Sequence, residues 1–89
     1  MGDGMTVIEK ELEGERASAL GEAGKRLENA LLALGDSSDD ELVHEAATAV
    51  WYYMIVRESL RMFDHKQALT IYGVPDRVMA KIGVVRRQP

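Results

Sequence analysis

Apolar residues recur at steps of three and four from about Thr6 to Leu34, at Ile8, Leu12, Ala19, Leu20, Ala23, Leu27, Ala30, Leu31 and Leu34. Such steps return to the same side of a 3.6-residue turn, so they predict one long helix over 6–34 with a single buried stripe. Leu20, Leu27 and Leu34 lie seven apart with Ala23 and Ala30 between them, a coiled-coil-like seam of alternating large and small side chains. Gly14, Gly21 and Gly24 weaken that helix, each by about 1 kcal/mol relative to alanine. With Ala17 and Ser18 they make a small-residue strip that another backbone could approach closely. The competing expectation is a helix kinked near Gly21.

Gly35 is placed to end the helix in a left-handed cap, and Asp36 to Asp39 reads as a polar turn. Ser38 followed by Glu41 has the spacing of a capping box and starts a second helix over 40–63. Leu42, Ala46, Ala49, Tyr53, Val56, Leu60 and Phe63 then form a charge-free seam. Trp51, Ile55 and Met62 fall on the opposite side, so this helix must bury two faces. A five-residue connection between helices of this length implies an antiparallel hairpin. Asp64 can cap a short third helix over 65–72, stopped by Gly73, and Pro75 can open a fourth over 75–82 that ends at Gly83. The expected fold is therefore all-α: one domain over 1–89, a long antiparallel helical hairpin with a short C-terminal helix pair at its open end. Leu69, Ile71, Tyr72, Val74, Val78, Met79 and Ile82 would dock that pair onto the Trp51 face.

Composition changes this picture little. With 46% hydrophobic and 29% charged residues the chain is near the globular average. The longest stretch without a charge or histidine, Ala46 to Val56, is well short of the roughly 20 residues a spanning helix needs. No pattern of charged, apolar and small residues suggests secretion, and the absence of cysteine excludes disulfides and thiolate chemistry, so a cytoplasmic address with no membrane association is expected. Met1, Gly2 and Thr6 match the spacing of a myristoylation signal, a short pattern that also arises by chance.

Charge is distributed unevenly. Residues 1–56 carry a net −8 and residues 57–89 a net +4. Folding the hairpin would bring Glu9, Glu11, Glu13 and Glu15 near Arg57 and Arg61, making the asymmetry an internal match rather than a ligand surface. Arg16 falls on the apolar stripe of the first helix and would reach a partner or solvent by its long stem.

Three constellations could carry chemistry. Glu41 and His44 form Glu-x-x-His, the pair that di-iron bundles project inward; a homodimer would supply two copies, and the antiparallel hairpin would place Glu28 near His44. The segment 67–82 can be read as a helix-turn-helix in which Arg77 and Lys81, with Arg86 and Arg87 beyond, would meet phosphates. Against it, Leu69 is bulky where such motifs pack closely, and the acidic half of the chain would repel nucleic acid. Asp64 and His65 are the remaining acid–base candidates, with no nucleophile motif, phosphate-binding loop or paired carboxylates beside them. Neighbouring aromatics Trp51, Tyr52 and Tyr53 point in different directions and read as a two-sided packing point rather than a platform for bases.

The stretch Ala49-Val50-Trp51 through Arg57-Glu58, with Asp64-His65-Lys66, Tyr72-Gly73-Val74-Pro75 and Ile82-Gly83, resembles a set of small all-helical bacterial proteins grouped as a domain of unknown function. The glutamate-rich first helix is similar too. The resemblance implies no activity, cofactor or catalytic residue. A hairpin this small has no enclosed core, so a homodimer with a four-helix bundle core is expected, with Trp51, Ile55, Met62, Gly21 and Gly24 at the contact. The function expected is a non-enzymatic structural or regulatory module that self-associates and that could hold another protein through a helical face. The helix-turn-helix binder is the alternative, and the Glu41–His44 metal site a lesser one.

Overall fold

The computed structural model describes the backbone of residues 7–87 and the side chains of residues 14–83. Four helices follow one another: α1 (Val7–Leu34), α2 (Asp40–Ser59), α3 (His65–Tyr72) and α4 (Asp76–Arg87). No strand occurs among the described residues, and no described helix is long and apolar enough to cross a membrane. α1 runs through Gly14, Gly21 and Gly24 as one uninterrupted helix. Gly35 closes it at φ +49°, with its N–H donating to the Leu31 carbonyl at 3.0 Å, and the chain reverses. A Cβ on Gly24 would touch the Tyr53 ring at 3.7 Å, which fixes the antiparallel register of the hairpin.

Ala23, Leu27 and Leu34 of α1 are buried against Val43, Ala46, Ala47, Ala49, Val50, Tyr53 and Val56 of α2. The alanines let the two backbones approach, while Leu27, Leu34 and Val50 fill the space between, each worth about 1.5–3 kcal/mol of burial. Val78 and Ile82 of α4 and Ala68 and Leu69 of α3 complete the core. Leu20, Ala30, Leu42, Trp51, Met54, Tyr72 and Val74 pack around it half-buried.

Several expectations are corrected. The second helix starts one residue later in its cap: Asp39, not Ser38, accepts the Glu41 and Leu42 N–H groups at 2.9 and 3.2 Å, and Ser37 Oγ accepts from the Asp39 N–H. Glu41 is exposed and holds no place in a capping box. The helix stops at Ser59 instead of Phe63, because Arg61 takes a left-handed conformation at φ 63°. Its N–H bonds to the Glu58 carbonyl and that of Met62 to the Arg57 carbonyl, a Schellman closure built without glycine. Phe63 consequently leaves the seam and is 64% exposed.

Asp64 occupies the cap position of α3 without a side-chain bond to it. Gly73 ends α3 at φ 69°, as expected, but Gly83 keeps no positive φ and α4 continues through it to Arg87. Pro75 sits one position before α4, its carbonyl accepting from Val78 and Met79. The helix pair does not stay at the open end. α3 begins there, and α4 reaches the closed end, where Arg77 Nη2 donates to the Gly35 carbonyl at 2.7 Å and Lys81 pairs with Asp40 at 2.7 Å. Of the residues expected to dock, Leu69, Val78 and Ile82 are buried, Tyr72 and Val74 half-buried, and Ile71 and Met79 exposed.

The result is elongated, 54 × 26 × 21 Å, with a radius of gyration of 15.3 Å. A compact chain of this length would have about 12 Å. α1 exceeds α2 by eight residues, and the described side chains from Gly14 to Ser18 are all exposed.

Candidate functional site

The sharp end of α2 shapes the most distinctive surface. Since Arg61 turns the chain within two residues, Met62 and Phe63 are directed outward, 37% and 64% exposed. On α3, Ile71 is 77% exposed. Met62 and Ile71 line one shallow cleft of about 270 Å³ together with Arg57, Asp64, Gln67 and Ala68. Single exposed apolar residues are ordinary, but three large ones gathered at one corner of a small chain are a candidate contact patch.

Arg57 organises the ground beneath it. Its guanidinium lies 5.8 Å from the Tyr53 ring centroid, donates from Nη2 to the Asp64 carbonyl at 2.9 Å, and donates from Nε to His65 Nδ1 at 3.3 Å. Glu58 Oε2 meets His65 Nε2 at 2.9 Å. The end of α2 is thus tied to the start of α3 by two side chains that converge on one imidazole. Arg57 is taken up here, and among the described residues the expected match to the acidic first helix does not form: Glu15 and Arg61 are exposed, and Glu9, Glu11 and Glu13 lie outside the described side chains.

A second cleft, about 430 Å³, opens between α2, α3 and α4 and is lined by Met54, Leu69, Val74 and Met79 with His65, Lys66, Thr70 and Asp76 at its edge. His65 lines this second cleft, while its bonding partner Arg57 and its neighbour Asp64 line the first.

Gly24 serves an aromatic side chain rather than a neighbouring backbone. It is buried, and a Cβ there would collide with the Tyr72 hydroxyl. Tyr72 in turn meets Tyr53 edge-on, centroids 5.3 Å apart at 73°. Burial pushes the Tyr72 phenol above its usual 10.0, with Tyr53 and Glu28 adding to the effect. Gly21 is exposed with nothing near it, so the strip does not act as a unit within the chain.

The other candidate residues are dispersed. Trp51 is half-buried against the core and Ile55 is 43% exposed. His44 is half-buried and Glu41 exposed, and no three His, Asp or Glu side chains gather to hold a metal ion among the described residues. Glu28 lies beside Lys25, 3.8 Å away. Arg77 and Lys81 are engaged within the chain, on the Gly35 carbonyl and Asp40, while the side chains of Arg86 and Arg87 lie outside the described residues.

Neither the Arg61 closure nor the Arg57–His65–Glu58 arrangement was read from the sequence. The Asp64–His65 adjacency pointed to the right place, but the partners lie seven and eight positions upstream on α2.

The model of a family of unknown function, DUF6665, matches residues 2–89, and the chain belongs to that family. No curated protein matches the chain, and no solved structure does.

Proposed function

We propose that this member of the family is a non-enzymatic interaction module that self-associates, two copies meeting at the α2–α3 corner. The observation that carries the reading is the joint exposure of Met62 and Ile71 around one cleft, with exposed Phe63 next to Met62 in the chain. Burying the exposed parts of these three side chains is worth at most about 1.5–3 kcal/mol each, least for Met62, which is 37% exposed, before the cost of association is subtracted. A second copy is the occupant that the charges favour. The patch is flanked by exposed Arg61 and half-buried Arg57 on one hand and by exposed Glu58 and Asp64 on the other. Charges of both signs beside one apolar patch are what a self-complementary two-fold contact requires.

The contact differs from the one the small-residue strip suggests. Gly24 is filled by Tyr72 and α4 covers one face of α2; Leu32, Tyr52 and Met79 are exposed elsewhere on the described surface, and the corner is where Met62, Phe63 and Ile71 come close in the chain or share a cleft. A four-helix bundle made from two hairpins is not required.

Amide spectra of the labelled chain over a range of concentrations test the reading. Concentration-dependent shifts or broadening should cluster in residues 57–71. Changes centred on Gly21, or on α4, would overturn it, as would spectra that do not change with concentration.

A further inference from the structure

Arginine can only donate hydrogen bonds, and this decides the state of a histidine. Arg57 Nε donates to His65 Nδ1 at 3.3 Å, so Nδ1 presents its lone pair and carries no proton. The ring hydrogen is therefore on Nε2, which donates to Glu58 Oε2 at 2.9 Å. His65 is the neutral Nε2–H tautomer, with both nitrogens engaged by neighbouring residues of α2.

We propose that His65 is a proton-operated latch at the α2–α3 corner: a proton taken up at Nδ1 breaks the Arg57 Nε bond and leaves the guanidinium held to the start of α3 by its Asp64 carbonyl bond alone. The proton comes from water, and no covalent bond between heavy atoms changes. The ring becomes a cation with N–H at both nitrogens. Its new Nδ1–H then faces Arg57 Nε–H, donor against donor and cation against cation, so that contact cannot persist. On the other side Nε2–H keeps Glu58, and the bond becomes charge-assisted at both ends. Protonation thus exchanges an Arg57–His65–Glu58 chain for a His65–Glu58 ion pair and an arginine that has lost one of its two bonds to the start of α3.

Losing that bond matters because the same guanidinium, then fixed by the Asp64 carbonyl alone, covers the Tyr53 ring and lines the cleft beside Met62 and Ile71. The described charged groups around the ring come from every element at this corner: Arg57 and Glu58 from α2, Asp64 and Lys66 on either side of His65, and Asp76 from α4 at the edge of the cleft that His65 and Lys66 line. The His65 side chain is 18% exposed, which gives water access to it. Histidine is the side chain that ordinarily changes charge between about pH 5 and 8. The latch stands on this geometry alone and holds whether or not two copies meet at the corner.

Nitrogen-detected spectra of the full-length labelled chain, from about pH 8 down to about pH 4, test it. The expected result is an Nε2–H ring at the upper limit and an Arg57 Nε–H resonance that moves in step with the His65 ring. In His65→Gln that Arg57 step should be lost. A proton on Nδ1 at the upper limit, a ring that stays neutral throughout, or an Arg57 resonance indifferent to the ring's titration would each overturn the proposal. The wild-type chain alone carries these three readouts, so the test survives a His65→Gln chain that fails to fold.

Discussion

Arg77 Nη2 donates to the Gly35 carbonyl at 2.7 Å across forty-two positions of sequence. The last carbonyls of a helix lack partners of their own, and a cation there also complements the partial negative charge of the helix end. Arg77 therefore caps α1 from α4 and fastens the fourth helix over the turn of the hairpin. Arg77→Gln should lower stability by about 1 kcal/mol, a fall of roughly 5 °C in Tm for a domain of this size. A thermal melt by circular dichroism measures it.

Gly21 and Gly24 should respond oppositely to the same substitution. Gly21→Ala adds a methyl into open space and removes a helix-weakening residue, so it should stabilise by about 0.5–1 kcal/mol. Gly24→Ala gains the same propensity but drives its methyl into the Tyr72 hydroxyl, which Tyr53 holds in place. Overpacking of that kind costs about 1–3 kcal/mol, leaving a net loss of about 1. Adding Tyr72→Phe removes the colliding oxygen and should restore much of it, as denaturant midpoints will show.

Arg61 carries a left-handed conformation that a Cβ disfavours. Its amide is bonded to Glu58, so the backbone is held there despite the cost. Arg61→Gly should stabilise the chain by about 0.5–1 kcal/mol, and the same substitution at Ser59, the last helical residue of α2, should destabilise it. Chemical unfolding of the two variants separates them.

Lys81 bonds to Asp40 Oδ1 at 2.7 Å and holds that carboxyl below its ordinary 3.8, through the hydrogen bond first and its charge second. A carboxylate with a depressed value stabilises the fold fully above the ordinary value and loses that contribution as pH falls through the depressed one. The pair should therefore add stability at neutral pH that disappears below about pH 3.8. Asp40 is exposed, so the effect should be small and screened by salt. Acid titrations of the wild type and Lys81→Gln should converge at the low end.

The hairpin was legible because its cause is local and repeated. Leu20, Ala23, Leu27 and Leu34 recur at helical spacing, and Gly35 and Gly73 take the left-handed caps that glycine favours. Caps proved less legible where neighbours compete. Ser38 and Asp39 can each accept from the next turn, and only the path of the backbone selects Asp39. The end of α2 was not legible at all. Residues 59–62 contain no glycine or proline, and the turn at Arg61 exists because α3 packs Ala68 and Leu69 back onto the core. The site depends on that turn, and its polar contacts join α2 to α3 across positions with no periodic relation. Arg77 and Lys81 looked like free cations for the same reason: their partners, Gly35 and Asp40, are about forty residues away.

Solution mass by light scattering tests the central claim most directly. The wild-type chain should rise with concentration from 9.9 kDa to twice that mass, while Phe63→Ser with Ile71→Ser should remain at the mass of one folded chain. A wild type that stays at one chain mass, or a double variant that dimerises as readily as the wild type, would contradict self-association through the α2–α3 corner.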